Sequence, residues 1–407
     1  QHVWPFPGDV LVTFFYPWSN GGWEGFVPGI FHKQAIASDV FRLYIPWKSL
    51  GTELVRLGQF PLWNPYNFAG TPLLANLQSS FFYPFGLFFY ILPILPAWLI
   101  YLFLQPIIGF FGMYLYLRAI TKSRASAVFG SIGFISTGFM LSWFDWGIVG
   151  HAASWMGWLF FAYHKVFWQN KTRFKFLIPV FIALAILAGY PQITALIFIS
   201  LAFYCLVPIL NAKNNKTKSF LTLFLYSLLG ILITSIQLLP TLELSQFSAR
   251  NVGSSEIFST FRLPFQNLVT VFAPDFFGNI AVNNFWGSQN YQESLLYFGV
   301  TLLPFSLLAI SGFRKSLTVK FFYLLALISL VLALPLPFSN ILEFIPVVSS
   351  GIPMRTLFLF QSSMVILAAI GLDQILSGHV KKSRLIATIT TVILSYSVIW
   401  ITTIILK

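Results

Sequence analysis

Four acidic residues lie in polar, aromatic-rich stretches of the sequence, where a carboxylate can take part in chemistry: Asp9, Asp39, Asp275 and Glu293. Asp39 begins a short amphipathic pattern that runs into a loop rich in proline and aromatic residues. Its carboxylate can act as a general base that takes a proton from an acceptor hydroxyl. It can equally cap the helix that follows, because acidic side chains accept hydrogen bonds from the free amides of a first turn. The sequence leaves both interpretations of Asp39 open, and the other three acids are further candidates for the same site.

Two other polar residues lie beside apolar segments. Arg355 immediately precedes the apolar segment 356–375, where its planar guanidinium can bind a phosphate through two parallel hydrogen bonds. It can also extend along the membrane surface with its charge in water. Gln192 follows a Gly-Tyr-Pro turn, and its amide can bind a sugar hydroxyl or join two helices. Arg355 and Gln192 are therefore candidate substrate-binding residues.

Metal and nucleotide motifs are missing from the sequence. The five histidines, at positions 2, 32, 151, 164 and 379, are scattered, and there is no phosphate-binding P-loop. We predict no cofactor, although a divalent metal stays possible. The single cysteine, Cys205, lies in an apolar run and cannot form an intrachain disulfide, so we expect a small buried side chain.

The composition is typical of an all-α polytopic integral membrane protein. Hydrophobic residues make up 57% of the 407 residues and charged residues only 9%. Ten apolar segments approach the length of about 20 residues that crosses a bilayer. They are 97–117, 125–144, 148–164, 176–190, 192–211, 219–240, 295–313, 321–337, 356–375 and 385–406.

The basic residues fix the predicted orientation, because cytoplasmic loops of membrane proteins are enriched in Lys and Arg. Every second connection between the segments is basic, and Asp373 is the only acid on that side. The basic connections hold Arg118, Lys122, Arg124, Lys165, Lys171, Arg173, Lys175, Lys213, Lys216, Lys218, Arg314, Lys315, Lys320, Lys381, Lys382 and Arg384. The net charge of +13 is then a signal of topology, with membrane lipid as partner and no nucleic acid.

This topology divides the chain into four parts. Residues 1–96 form a first outer loop with an amphipathic juxtamembrane helix, and residues 97–240 form six transmembrane helices. Residues 241–294 form a large outer loop, and residues 295–407 form four more transmembrane helices. We expect the protein to lie in the cell membrane, with 1–96 and 241–294 on the outer face and a further span upstream of residue 1.

Several motifs carry a resemblance to a known family. The run Pro61-Leu62-Trp63-Asn64-Pro65 is followed by Gly70-Thr71-Pro72, and Gly189-Tyr190-Pro191-Gln192 and Gln237-Leu238-Leu239-Pro240 follow later. Together they resemble the YfhO-like bacterial membrane proteins, which belong to the GT-C superfamily of glycosyltransferases. The similarity covers nearly the whole chain, and the first two motifs are its most specific part.

The resemblance implies a GT-C-like helical bundle and a function. Such enzymes move a sugar from a polyprenyl-phosphate carrier to an acceptor on the outer face, such as a surface polymer or glycan. Their catalytic aspartate precedes a juxtamembrane helix, which Asp39 and Tyr44 match. Val40 replaces a second acid of the family pattern, a gap that Asp9 or Glu293 can fill in space. We also assign Trp63 and Asn64 to substrate binding.

The sequence is also compatible with two other functions. One is a transporter or flippase of lipid-linked sugars, which predicts charged residues near the bilayer midplane and broken helices. The other is a non-catalytic assembly protein with the same fold.

Overall fold

The structure, a computed structural model, describes residues 15–21, 38–211, 216–248, 261–282, 284–345, 349 and 351–405. These ranges consist mainly of α-helices joined by short 3-10 and π-helical turns, with one small sheet. Asp9 lies outside the described residues, as do the histidines at positions 2 and 32.

Fifteen α-helices follow one another along the described residues, with the longest connections before the helices that begin at Phe88 and at Tyr291. They are α1 (Ile45–Arg56), α2 (Phe88–Ile91), α3 (Ile94–Ile120), α4 (Arg124–Ile135), α5 (Gly138–Ser142), α6 (Ile148–Tyr163), α7 (Leu177–Leu187), α8 (Pro191–Asn211), α9 (Lys216–Ile233), α10 (Ser235–Gln246), α11 (Tyr291–Ser294), α12 (Leu303–Leu308), α13 (Leu317–Ala333), α14 (Leu357–Leu376) and α15 (Lys382–Ile405). The sheet pairs β1 (Trp63–Asn64) with β2 (Thr71–Pro72) in antiparallel orientation.

Five helices in the described residues are long and apolar enough to cross a membrane, which supports an all-α, membrane-embedded protein. They are Ile94–Ile120, Pro191–Asn211, Lys216–Ile233, Pro353–Leu376 and Lys382–Thr402. The larger number of ten spans, the GT-C arrangement and the orientation stay predictions.

The buried fraction of the residues distinguishes one central helix from two peripheral helices. In the most apolar window of each helix, 83% of the residues are buried in the Pro353–Leu376 helix, against 6% in α9 and 6% in α15. The central α14 packs against α4, α12 and α13, while α3 packs against α6 and α4. The central helix therefore has protein on nearly all sides, and its first turn is the point where a polar site can be enclosed.

The predicted segment 125–144 is not a single helix, and the reason is a close backbone crossing. The helical path stops after Ile135 and resumes at Gly138, whose amide donates to the Tyr297 carbonyl at 2.7 Å. A Cβ atom at Gly138 would lie 2.9 Å from that carbonyl oxygen, so only glycine allows the crossing. Gln361 of α14 forms hydrogen bonds with both crossing segments. Its Oε1 accepts from the Phe139 amide at 2.9 Å and its Nε2 donates to the Leu295 carbonyl at 2.6 Å, so these backbone groups are not left unpaired.

Two more predicted segments are interrupted. Segment 295–313 becomes helical only at Leu303, because the backbone of 295–297 bonds to Gln361 and to the Thr270 hydroxyl instead of to itself. Segment 219–240 divides between α9 and α10 at Thr234, whose hydroxyl donates to the Ile231 carbonyl at 2.7 Å and competes with the helical pattern.

The predicted amphipathic helix after Asp39 is present. A π-helical turn (Val40–Tyr44) continues without a break into α1, whose second residue is Pro46. The helix buries Trp47, Lys48, Gly51 and Thr52 against the rest of the protein.

Candidate functional site

Arg355 and Glu293 form an enclosed ion pair in the described part of the chain. The Arg355 Nε and Nη2 atoms donate to Glu293 Oε1 at 3.0 and 2.7 Å, and Nε also approaches Oε2 at 3.3 Å. The two side chains are 13% and 3% exposed. Separating such a pair leaves an uncompensated buried charge, so the two residues hold each other in place.

Gln192 completes a polar cluster with this pair. Its Oε1 accepts from Arg355 Nη1 at 2.8 Å, and its Nε2 donates to the Ile352 carbonyl at 2.9 Å. A Cβ atom at Gly351 would lie 2.1 Å from the Gln192 Cδ, so a larger residue at 351 would displace the amide. We call Arg355, Glu293 and Gln192 the Arg355 cluster.

Three separate elements supply the Arg355 cluster. Arg355 lies in the 3-10 turn Pro353–Thr356 that leads into the central α14. Glu293 comes from the short α11, and Gln192 from the second residue of α8. The turn before α8 requires a left-handed backbone at Gly189, where φ is 96°, and Pro191 then begins the helix. The turn at Gly189 thus places Gln192 at the site.

Aromatic side chains surround the guanidinium. Its central carbon lies 5.3 Å from the Tyr190 ring centre and 5.5 Å from the Trp143 ring centre. The buried Trp143 Nε1 makes no hydrogen bond to any described residue. Tyr44 is also within electrostatic range of Arg355. The cluster therefore contains two buried aromatic rings that pack on the guanidinium and one buried N–H without a hydrogen bond to a described residue.

Asp275 is linked to this region indirectly. Its Oδ1 accepts from the Tyr291 hydroxyl at 2.7 Å and from Asn279 Nδ2 at 3.0 Å, and the carboxylate is exposed. Burial raises the pKa of Tyr291, and the hydrogen bond to the charged Asp275 raises it further. Because Tyr291 begins α11, Asp275 holds the helix that carries Glu293.

Asp39 has a helical backbone, with φ −60° and ψ −28°, and its side chain makes no capping hydrogen bond to the π-helical turn that follows. The capping interpretation of Asp39 is therefore wrong for this turn. Tyr44, five residues further, is 4% exposed and packs against Trp47 with ring centres 5.7 Å apart. The turn that begins at Asp39 thus ends beside the Arg355 cluster.

Trp63 and Asn64 lie in the small sheet, with different surroundings. Trp63 is 52% exposed, whereas Asn64 is buried and its Oδ1 accepts from the Tyr66 amide at 2.9 Å. The Asn64 amide therefore shapes its own turn. No contact of either residue with the Arg355 cluster is found among the described residues.

The sequence did not single out Lys48, another buried cation. Its Nζ donates to the Ser79 carbonyl at 2.7 Å and lies 5.4 and 5.5 Å from the ring centres of Phe89 and Tyr101. Burial lowers the pKa of the Lys48 ammonium to about 7. Helical spacing could have found it, since Tyr44 and Lys48 are four residues apart and lie on one face.

His151 contacts Tyr101, as Lys48 does, and has a structural role. Its Nε2 lies 2.8 Å from the Tyr101 carbonyl and must carry the proton, so Nδ1 accepts from the Tyr83 hydroxyl at 2.9 Å. Trp155 Nε1 in turn donates to the Tyr83 oxygen at 3.1 Å. Cys205 is buried, as predicted.

The described residues contain no group of three or more His, Cys, Asp or Glu side chains that could hold a metal ion. Comparison of the chain with protein-family models, with curated proteins and with solved structures finds no match. The geometry of the site and the sequence motifs are thus the grounds on which a function is argued.

Proposed function

We propose that this protein is a GT-C-type glycosyltransferase of the YfhO-like kind, with about ten spans and its site on the outer face of the cell membrane. It would move a sugar, with inversion, from a polyprenyl-phosphate carrier to an acceptor in the cell envelope. The observation that carries the proposal is the Arg355 cluster, which joins three distant parts of the chain at the first turn of the central apolar helix. Enclosed charge is costly in a membrane protein and marks a functional site by default.

In this proposal Glu293 positions Arg355 and does not take the proton. The Glu293 carboxylate accepts hydrogen bonds from two guanidinium nitrogens, so we assign it to holding Arg355 in place. That leaves Asp39 as the general base, on the turn that ends at Tyr44 beside Arg355.

Arg355 keeps the capacity to bind a phosphate. Its bonds to Glu293 and Gln192 use three of the five guanidinium N–H groups. The proposal assigns the other two to the carrier phosphate and assigns the Trp143 N–H and the Tyr190 ring to the sugar. Because the polyprenyl phosphate leaves as a stable anion when the sugar passes to the acceptor hydroxyl, no nucleotide hydrolysis is needed at this site.

A transporter of lipid-linked sugars is the second candidate, favoured by one observation. The path between α4 and α5 is broken and crosses the extended residues 295–297, as in transporters with discontinuous helices. The ion pair, however, lies at the end of a candidate span and not within it. That position suits a reaction at the membrane surface better than passage through the bilayer.

The test is sugar transfer in vesicles that contain the purified protein and a panel of polyprenyl-phosphate sugars. Asp39→Asn should lower the rate by about 10²–10⁴-fold, the usual contribution of a general base. Glu53→Gln is the matched control, because Glu53 is an exposed carboxylate on the helix that follows, and its rate should not change. Wild-type rates for Asp39→Asn would refute this role of Asp39. Movement of the lipid-linked sugar across the bilayer without transfer would favour the transporter.

A further inference from the structure

The hairpin of residues 60–73 exposes large aromatic side chains. Trp63 is 52% exposed, Tyr66 is 81% exposed and Phe68 is 95% exposed. Phe60 and Leu62, just before the sheet, are also more than half exposed. We call residues 60–73 the aromatic hairpin. A contiguous apolar surface of this kind indicates a partner, either a protein or a membrane.

The backbone holds these side chains outward. The pairing of β1 and β2 is extended by a hydrogen bond from the Leu73 amide to the Leu62 carbonyl at 2.8 Å. At the tip, Phe68 and Ala69 both have the left-handed backbone that most residues avoid, with φ of 52° and 60°. The next residue, Gly70, passes so close to the Trp63 indole that an added Cβ would lie 2.5 Å from the ring. Phe68 is thus fixed away from the protein core.

The distribution of charged residues along the chain indicates what surrounds the aromatic hairpin. From Leu57 to Leu117 the sequence contains no Asp, Glu, Lys, Arg or His. The second connection of comparable exposure, residues 261–302, contains Arg262, Asp275 and Glu293. A loop in water usually carries charges, whereas an uncharged surface rich in Trp, Tyr and Phe is typical of the layer between lipid headgroups and acyl chains.

The aromatic hairpin lies near the end of a candidate span, where this interfacial layer is expected. Its Phe60 ring lies 6.1 Å from the Phe82 ring, in the segment that leads directly into α3. In the same segment Leu87 and Ile91 are 58% and 74% exposed. Because α3 is a candidate span that begins at Ile94, this apolar surface continues from the hairpin to the end of a transmembrane helix.

We propose that the aromatic hairpin inserts into the interfacial layer of the lipid bilayer beside the N-terminal end of α3. The inference does not depend on the proposed enzyme activity. Trp63, which the sequence assigned to substrate, is then a lipid contact. Since the hairpin has no charge, its insertion should not need anionic lipid and should not weaken at high salt.

The experiment uses single cysteines in a Cys205→Ala background, each carrying a fluorophore, in phosphatidylcholine vesicles whose acyl chains are brominated. Ala69→Cys places the probe at the hairpin tip and keeps every aromatic side chain. Ile393→Cys, on the exposed face of α15, is the lipid control, and Ser288→Cys, an exposed position in the second connection, is the water control. A companion variant adds Tyr66→Ser and Phe68→Ser to Ala69→Cys.

The Ala69 probe should lose emission in brominated vesicles to a degree between those of the two controls, equally at low and high salt. The two serine changes should reduce that loss toward the Ser288 level, while the purified variant keeps its elution volume in detergent. A hairpin probe that is quenched no more than the Ser288 probe would overturn the proposal and leave the aromatic surface to a soluble partner such as a glycan. Quenching that disappears at high salt would overturn it as well.

Discussion

Arg355 and Lys48, two enclosed cations among the described residues, are stabilised in different ways. Arg355 faces a carboxylate, Glu293, at 2.7 Å, and an amide, Gln192, at 2.8 Å. Lys48 is 5% exposed, and its hydrogen bonds among the described residues go to the carbonyls of Ser79 and Ser80. Both cations also lie over two or more aromatic rings. The difference between them is therefore the counter-charge.

The counter-charge decides what each cation can do. Arg355 stays charged at every physiological pH and forms a fixed unit with Glu293, which suits a binding site for an anion. The Lys48 ammonium, without a carboxylate, has its pKa lowered to about 7 by burial, so its charge changes near neutral pH. The charge of Arg355 is constant over this pH range and the charge of Lys48 is not. The predictions below test that contrast.

The largest effect should follow from removing the carboxylate of the paired cation. Glu293→Ala leaves the Arg355 charge buried and unpaired, and we expect a loss of about 3–5 kcal/mol in the free energy of unfolding. Thermal and denaturant unfolding in detergent measure it. Glu53→Ala, an exposed carboxylate, is the control and should change stability by no more than about 0.5 kcal/mol.

The double variant Glu293→Leu/Arg355→Met sharpens the result. Replacing both members of a buried pair by apolar side chains removes the unpaired charge, so the double variant should be more stable than Glu293→Ala. A double variant that is as unstable as the sum of its two single changes would contradict the coupling.

Lys48→Met should have an effect that depends on pH. The folded-state pKa of Lys48, about 7, is below the ordinary value of 10.5, so between these values the unfolded chain binds one more proton than the folded one. Wild-type stability then gains roughly 1.4 kcal/mol per pH unit from this residue as pH rises above about 7. The methionine variant lacks that gain, so its stability relative to wild type should be greatest near pH 7 and fall toward pH 9. Stability curves that stay parallel over this range would mean that Lys48 keeps its proton.

Much of the helical pattern could be predicted from the sequence, but its interruptions could not. Segment 356–375 corresponds to α14 within one residue at each end, because a long apolar run needs little tertiary information. The break before Gly138 depends on Gln361, which is 222 residues away from its partner Phe139. Nothing in the local composition of 125–144 indicates that another segment crosses there.

Each residue of the Arg355 cluster could be selected from the sequence, but the contacts between them could not be predicted. Arg355, Glu293 and Gln192 were each selected because their side-chain type fits a polar site beside apolar segments. Their contacts span 62 residues in one case and 163 in the other, so only the packed structure brings them together. Lys48 was not selected, because one lysine in an amphipathic helix usually faces water.

Gln192→Leu tests the neutral partner of Arg355 and should have a smaller effect than Glu293→Ala. The change removes the acceptor of Arg355 Nη1 and one of the two donors to the Ile352 carbonyl, and it leaves the partly buried Nη1 without its partner. Leaving a buried polar group unsatisfied costs about 1–3 kcal/mol. The loss should be the same at pH 6 and pH 9, because Arg355 does not titrate in that range. A loss as large as that of Glu293→Ala would show that the amide, and not the carboxylate, holds the guanidinium.

The smallest predicted effects concern the rings, and they separate the two cations most directly. Phe89→Leu and Tyr190→Leu each replace a ring whose centre lies 5.4 or 5.3 Å from the buried cation. Both variants lose ring volume, so that part of the cost is common to them. A cation over an aromatic face contributes a further ~0.5–2 kcal/mol, but only while the cation is charged. Phe89→Leu should therefore cost more at pH 6, where Lys48 is an ammonium ion, than at pH 9, where it is largely neutral. Tyr190→Leu should cost the same at both values, because the Arg355 charge is constant. Unfolding of the two variants and of wild type at both pH values measures the difference, and an equal pH dependence for the two would remove the contrast between the cations.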